Sequence, residues 1–389
     1  MTPLAAQPWL QNPATQQVCA ALTVQGAAAY FVGGCVRNAL MGVAVSDIDI
    51  ATDATPQEVL ALAQAAGVKA IPTGIDHGTV TLVANHIPHE VTTFRKDVDT
   101  DGRRAVVAFS TDIAEDAARR DFTVNALYAR PDGSIVDPLG GMPDLQARRI
   151  RFIGTADHRI REDYLRSLRY FRFHAWYGDQ AAGFDPDALA AIAANLDGLG
   201  KLSRERVGAE LLKLLGAPDP APEVAVMRQT GVLGQILPGA DDRALAPLVH
   251  LEGEAGLSAD PIRRLAAISG GADLQESLRL SKDQARRLER LYEAATGPLG
   301  AGELGYRLGA EQGRDALLLR AALLEEPLAP DALSAADHGS AQTCPVAARD
   351  LMPDLSGAAL GAALKQLESD WIASGFSLDR AALLARLNG

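Results

Sequence analysis

Apolar and polar positions follow two periods along this chain, and the architecture changes where one period gives way to the other. Up to residue 140 both are present. Residues 14–24 carry helical spacing, and "AAYFVGG" reads as a strand stopped by Gly33 and Gly34. "NALMG" adds a helical turn. In "SDIDIAT" (46–52), Ile48 and Ile50 alternate with Asp47 and Asp49, so on a strand the isoleucines face a core and the aspartates share the other side. "TPQEVLALAQAAG" starts a helix with a Thr55/Glu58 capping box and Pro56 at the first helical position, and Gly67 ends it. "HGTVTLVAN" and "HEVTTFR" are period-2 strands joined by a turn at 85–88. "DVDTDGRR" (97–104) has no apolar periodicity and is expected to be a mobile loop. Then come a strand in "AVVAFS", a helix containing "RRDFTVNALYA", and a short strand and turn in "GSIVDPLGG".

Past residue 140 the period of two nearly vanishes. "EDYLRSLRYFRFHAWYG", "RVGAELLKLLG", "EVAVMRQTGVL", "SKDQARRLERLYEAAT" and "AALLARLNG" all carry helical spacing. The expected fold class is α+β: a head with a small mixed sheet and helices, followed by an all-helical remainder. The division expected is 1–139, 140–215 and 216–389, with Pro/Gly-rich linkers near 216–222 and 326–332. No fixed-period repeat is present.

Composition changes this picture little. The 389 residues, 48% hydrophobic, suit a multi-domain globular protein. No stretch reads as a membrane span, and "MTPLAAQPWL" lacks the basic n-region of a signal peptide. Cys19, Cys35 and Cys344 are scattered, which argues against a disulfide framework or zinc site and for a reducing cytoplasm. Net charge matters more. At −12 it argues against a nucleic-acid partner, but arginines crowd residues 95–172, and a local basic surface still binds phosphate because screening confines each patch.

Candidate chemistry concentrates before residue 50. Asp47 and Asp49 side by side repel unless a cation lies between them; the plain alternative is a solvated strand end. Ahead of them, Gly33 and Gly34 let the backbone approach a ligand, a helix start follows, and Arg37 adds a permanent charge suited to phosphate. In that order the elements are expected to form a triphosphate-plus-metal pocket; the plain alternative is that Gly33 and Gly34 merely make a turn. Glu90, in "HEVTTFR", is a candidate third carboxylate or an edge-strand charge. His77 reads as structural or as a phosphate contact, and Arg279, Arg286, Arg287 and Arg290 as a backbone contact to RNA or a solvated helix face.

"GGCVRNALMG…SDIDIAT" resembles the first motif of the class II CCA-adding tRNA nucleotidyltransferases and bacterial poly(A) polymerases. "EDAARRDFTVNAL" resembles their second motif, "DPLGGMPDLQARRIRFIG" the connector, "EDYLRSLRYFRF" the base-selecting helix and "LSRERVGAELLKLL" the motif after it. The resemblance implies a nucleotidyltransferase head (1–139), a neck carrying the base-selecting motif (140–215) and a tRNA-binding body and tail (216–389). It implies that Asp47 and Asp49 ligate Mg²⁺, and that Gly34 and Arg37 hold the triphosphate. It places Arg120, Asp121 and Asn125 in the motif for ribose and phosphates, Asp163 and Arg166 on the base, and Arg169 and Arg172 further along the same face. The pattern has Asp after its arginine where this chain has Asn38. No histidine of the seven precedes Asp, so the His-Asp phosphohydrolase module of some relatives is not expected.

The base-reading role can also be argued from chemistry. Asp163 and Arg166, at i and i+3, share a helical face; one only accepts and the other only donates. Cytosine and adenine each present an amine beside a ring acceptor and fit such a pair. Uracil and guanine present the reverse, and each mispaired buried group costs about 1–3 kcal/mol. The plain alternative is a surface salt bridge. The resulting expectation is template-independent addition of the 3′-terminal CCA to tRNA from CTP and ATP. Rivals are a poly(A) polymerase, a partial CC- or A-adding enzyme and a catalytically silent RNA-binding protein. In the family it resembles, a flexible loop at this place is tied to the switch from C to A addition; here the 97–104 loop would act as a lever, Arg103 or Arg104 gripping a phosphate or carboxylate in one state, and the plain alternative is a solvated hairpin tip with no role.

Overall fold

The computed structural model describes residues 4–101 and 104–387. Its contacts group into two units, Met1–Glu210 with Val226–Ile236, and Leu211–Ala225 with Leu237–Gly389. The α+β reading holds.

The first unit is built on a seven-stranded sheet in the order β3-β4-β5-β2-β1-β8-β9. Its strands are β1 (Ala29–Val32), β2 (Asp49–Thr52), β3 (Lys69–Gly74), β4 (Thr79–Ala84), β5 (Ile87–Thr93), β8 (Tyr128–Ala129) and β9 (Ile135–Val136). β2 and β5 are parallel; the other described pairings in this sheet are antiparallel. The β4–β5 hairpin turns through Asn85 and His86, at φ 47° and 66°, the left-handed pair a tight two-residue hairpin demands. Phe31, Ile50, Val80, Leu82 and Val91 are buried. The helices Pro13–Thr23 and Pro56–Ala65 pack on the sheet, the second with both halves of its capping box formed. His89 ties the first helix down through Thr15, 2.9 Å away.

Four features differ from the sequence reading. β3 was not foreseen: Pro72 interrupts it, its register shifts between Ile71 and Gly74, and it lies at the sheet edge where proline is tolerated. The expected loop 97–104 instead contributes to two strands, β6 (Arg95–Asp101) and β7 (Arg104–Phe109), paired antiparallel. Gly102 and Arg103, at the tip, lie outside the described residues. "RRDFTVNALYA" is not helical. The preceding helix, Ile113–Ala118, ends at Arg119; the motif then makes a 3₁₀ turn at Thr123–Asn125 and enters β8. Pairing overrides helix propensity here: the Thr123 and Ile153 N–H groups bond to the Arg151 and Asp121 carbonyls. Finally, Asp163 is not on a helix. Its backbone is extended, φ −153° and ψ 103°, between the helices Ala156–Glu162 and Leu165–Tyr177.

The second unit is helical. A Cβ on Gly305 would meet the Ala336 carbonyl oxygen at 1.8 Å, so only glycine lets the helices Ala301–Leu308 and Ala332–Ser340 approach this closely. Further along, Trp371 packs with Val346, Leu351, Leu367 and Leu383. Glu252 accepts from both Arg263 (2.7 Å) and Arg264 (2.7 Å), all buried. Arg264 also donates to the carbonyls of Leu215, Ala217 and Pro218, so the expected linker near 216–222 is held by a buried guanidinium.

Candidate active site

The acidic pair sits where β2 begins. Ile50 is buried as alternation requires, whereas Asp47 is exposed and precedes the strand. Asp49 opens β2 and faces Glu90 directly across the parallel register. Its carboxyl pKa is raised, first by burial and next by the Glu90 charge, with Asp47 adding to the effect and Arg120 opposing it. Among the described residues no three acidic, histidine or cysteine groups close into a metal cage. What the backbone presents is an open acidic edge, which suits a cation that keeps water ligands.

Next to it, Gly33 caps the helix Gly34–Met41 at φ 71°, a left-handed conformation that favours glycine. A Cβ there would stand 3.5 Å from Arg120 Nη1. Arg37, one turn into this helix, is buried. Its guanidinium donates to Asn125 Oδ1 (2.5 Å), Tyr177 Oη (2.9 Å) and Asn38 Oδ1 (2.8 Å), and lies 4.0 Å from the Tyr177 ring centre. Every one of these partners is neutral. Burial lowers the Arg37 pKa, against a raising contribution from Tyr177. Asn38 therefore keeps the hydrogen bond an aspartate would make but brings no neutralising charge.

The second motif supplies the frame. Asp121 is buried and accepts from Arg169 Nε (2.8 Å) and Nη2 (2.6 Å), from Asn125 Nδ2 (2.8 Å) and from the Phe122 N–H. Burial would raise its pKa, but Arg169 and Asn125 hold it low. Asn125 thus relays between Arg37 and Asp121. Arg120 donates to Asp116 (3.0 Å) and to Tyr128 Oη (3.1 Å), while that hydroxyl donates to Asp116 (2.7 Å). Burial opposes the Arg120 charge, yet Tyr128 and Asp116 leave its pKa raised.

The base-reading candidates lie at the head of the helix Leu165–Tyr177. Asp163 Oδ1 accepts from the Leu165 N–H (3.2 Å), and Oδ2 from Arg206 Nη2 (2.7 Å). Arg166 does not touch Asp163 through its side chain; it pairs with Glu162 and donates to the carbonyls of Arg159 (2.9 Å) and Arg119 (3.2 Å). Arg172 binds Glu210 (2.5 Å), which also neighbours Arg169 at 3.8 Å.

All of the candidate catalytic and nucleotide-binding residues read from sequence belong to the first unit. Two connected groups emerge: Arg37, Asn125, Asp121 and Arg169 in one hydrogen-bonded chain that continues through the Arg169–Glu210 ion pair to Arg172, and Asp47, Asp49 and Glu90 at the strand edge. The arginine crowding of 95–172 is largely internal pairing, with Asp116, Asp121, Asp144, Asp157, Glu162 and Glu210 as counter-ions. Asp116, Glu162, Tyr177, Arg206 and Glu210 escaped the sequence reading. Glu162 stands four residues before Arg166 and could have been paired on spacing; Arg206, 43 positions from Asp163, could not. Of the helix-face arginines, Arg287 is committed to Asp260 (2.8 Å) and Asp315 (2.9 Å).

Comparison with known proteins agrees with this frame. Residues 29–151 match the Poly A polymerase head domain, and residues 183–243 the probable RNA and SrmB-binding site of polymerase A. The mitochondrial CCA tRNA nucleotidyltransferase 1 of Mus musculus is 34% identical over 368 residues, 91% of this chain and 85% of the relative. Its Homo sapiens counterpart is 47% identical over 184 residues, a match spanning 47% of this chain and 42% of that protein. The crystal structure of the Bacillus stearothermophilus CCA-adding enzyme in complex with CTP superposes with a TM-score of 0.74 at 28% identity, covering 97% of this chain and 98% of that one. On the match to the mouse protein, which spans 91% of this chain and 85% of that relative, and with a fold that agrees, this chain belongs to the CCA tRNA nucleotidyltransferase family.

Proposed function

We propose that this chain builds or repairs the 3′-terminal CCA of tRNA from CTP and ATP, without a template and with release of pyrophosphate. The observation that carries the reading is the setting of a buried, neutrally partnered Arg37 and a glycine-capped helix start beside the Asp47/Asp49 edge. A buried cation lacking a direct carboxylate partner favours an anion, and the open N–H groups of the helix start point the same way.

The carboxylates fit a divalent ion: Asp49 is pushed toward its neutral form first by burial and then by the charges of Glu90 and Asp47, and a cation relieves that repulsion. Mg²⁺ is proposed, held by Asp47 and Asp49, with Glu90 as a further carboxylate. Bound there, it supplies charge neutralisation for the attacking 3′-oxygen and the departing pyrophosphate. The remaining work falls to the chain. Gly33, Gly34, Arg37 and Arg120 hold the triphosphate. Asp121 and Asn125 orient Arg37 and Arg169, and Arg172 extends that framework through Glu210. Asp163 accepts from the base amine and Arg166 donates to the ring acceptor, so C and A are taken while U and G are refused. The head at 1–139 performs transfer, the neck at 140–215 reads the base, and 216–389 engages tRNA.

A poly(A) polymerase is the second reading, favoured by the descriptions of the matched domains. Partial CC or A addition is contained in the same test, and a silent RNA-binding protein is disfavoured by the intact aspartate pair. Labelled CTP and ATP, separately and together, are offered to tRNA lacking its 3′ end. Incorporation of both, stopping after three nucleotides, is expected. Incorporation of ATP alone into general RNA would overturn the reading. A reducing compartment, the cytoplasm, is proposed from the free cysteines; no helix among the described residues is long and apolar enough to cross a membrane.

A further inference from the structure

We infer that Arg206 is the positioning residue that orients the Asp163 carboxylate for the base amine, a step that rests on the base-reading role proposed above. Asp163 occupies a break between helices, and its carbonyl accepts from the Arg166 N–H at 2.9 Å. One side-chain oxygen is held by the Leu165 N–H at 3.2 Å. That single long bond leaves the carboxylate plane free to swing, because the terminal torsion of aspartate is broad. The other oxygen accepts from Arg206 Nη2 at 2.7 Å, which closes that freedom.

A carboxylate offers about four lone-pair sites, and two are used here, so an amine can bind without displacing Arg206. The opposite half of the reading pair is braced in the same manner. Glu162 and the carbonyls of Arg159 and Arg119 engage Arg166, leaving part of its donor fork for a ring acceptor. Each reader therefore has an oppositely charged brace from outside the pair. The Arg206 and Asp163 side chains are 43% and 31% exposed. A pair so open to water contributes little to stability, so its consequence falls on selectivity.

The test compares wild type with Arg206→Ala, Arg206→Lys and the double change Asp163→Ala/Arg206→Ala. Steady-state constants are measured for all four nucleoside triphosphates on tRNA lacking its 3′ end, together with Tm. Arg206→Ala is expected to raise KM for CTP and ATP and to cut discrimination against UTP and GTP by about tenfold, the effect of one lost charge-assisted bond. Tm should stay close to wild type, and Arg206→Lys should recover part of the discrimination. In the Asp163→Ala background, removing Arg206 should change discrimination no further. Unchanged discrimination, a fall in KM, or an equal loss for all four nucleotides with a lowered Tm would each overturn the inference. Wild type that incorporates neither C nor A would remove the functional reading itself, and this inference with it.

Discussion

Arg37 shows how a single substitution sets the character of a site. Its partners Asn125, Asn38 and Tyr177 satisfy the guanidinium without cancelling its charge. Asn38→Asp would add a carboxylate at a position already within 2.8 Å. Replacing a neutral hydrogen bond by a charge-assisted one adds roughly 1 kcal/mol, so KM for CTP should rise by about fivefold while Tm holds or increases. A lowered KM would mean that Arg37 does not face the triphosphate. The acidic edge makes a second residue-scale prediction. Asp49→Ala should reduce transfer by more than about a hundredfold, beyond the loss of an outer-shell partner, with the fold intact by circular dichroism. Because Glu90 is the largest charge effect raising the Asp49 pKa, Glu90→Gln should bring that pKa down. The sign follows directly: Asp49 must be ionised to bind a cation, so the acid limb of the pH–rate profile shifts to lower pH. If Glu90 also contributes as a ligand, transfer at limiting Mg²⁺ falls in the same variant; unchanged turnover would return Glu90 to an edge-strand role.

Elements were legible where their own residues carried the reason for them. The helix Pro56–Ala65 announces itself by Thr55, Pro56 and Glu58, and β4 and β5 by alternation around Asn85. β3 was illegible because Pro72 contradicts a strand and most of its residues are exposed, leaving no apolar face to alternate. The break at Asp163 was hidden inside continuous helical spacing: its backbone is extended, and its side chain accepts from the Leu165 N–H where the next helix begins. Motif residues were similarly readable one by one, but the chain from Arg37 through Asn125 and Asp121 to Arg169 exists only after folding. The hairpin β6–β7 carries the prediction of this scale. Asp116 accepts from the Arg95 N–H at its base (3.2 Å) and from Arg120 (3.0 Å), so one carboxylate joins the hairpin to the second motif. Cytosine and adenine differ in size, and one Asp163/Arg166 pair serves both only if something shifts. Replacing residues 99–104 by a Gly/Ser linker should spare two C additions and sharply reduce terminal A addition. Equal survival of both steps would make the hairpin a connector.

At the scale of the whole chain, net charge was a poor guide because arginines and acids are distributed as internal pairs rather than as fields. The second unit makes this concrete. Glu252, Arg263, Arg264, Asp315, Arg287 and Asp260 form one network, and Arg264 is 2% exposed. Burial would raise the Asp260 pKa, but the Arg263 N–H and Arg287 hold it low, so its contribution to stability is present above the ordinary aspartate pKa and is lost as pH falls through the depressed one. Arg264→Ala removes one counter-ion of Glu252 and the donor to three carbonyls at once. Breaking a buried pair from one side costs about 3–5 kcal/mol. Because the contacts divide into two units, that loss should appear in only one of two unfolding steps. The tryptophans provide the reporters: Trp9 and Trp176 lie in the first unit and Trp371 in the second. In Arg264→Ala, urea unfolding followed through Trp371 alone should move to lower concentration, while unfolding followed through Trp9 and Trp176 stays in place. A common shift of both signals would show that the chain unfolds as one cooperative body, and that the network stabilises the head as much as the helical unit that contains it.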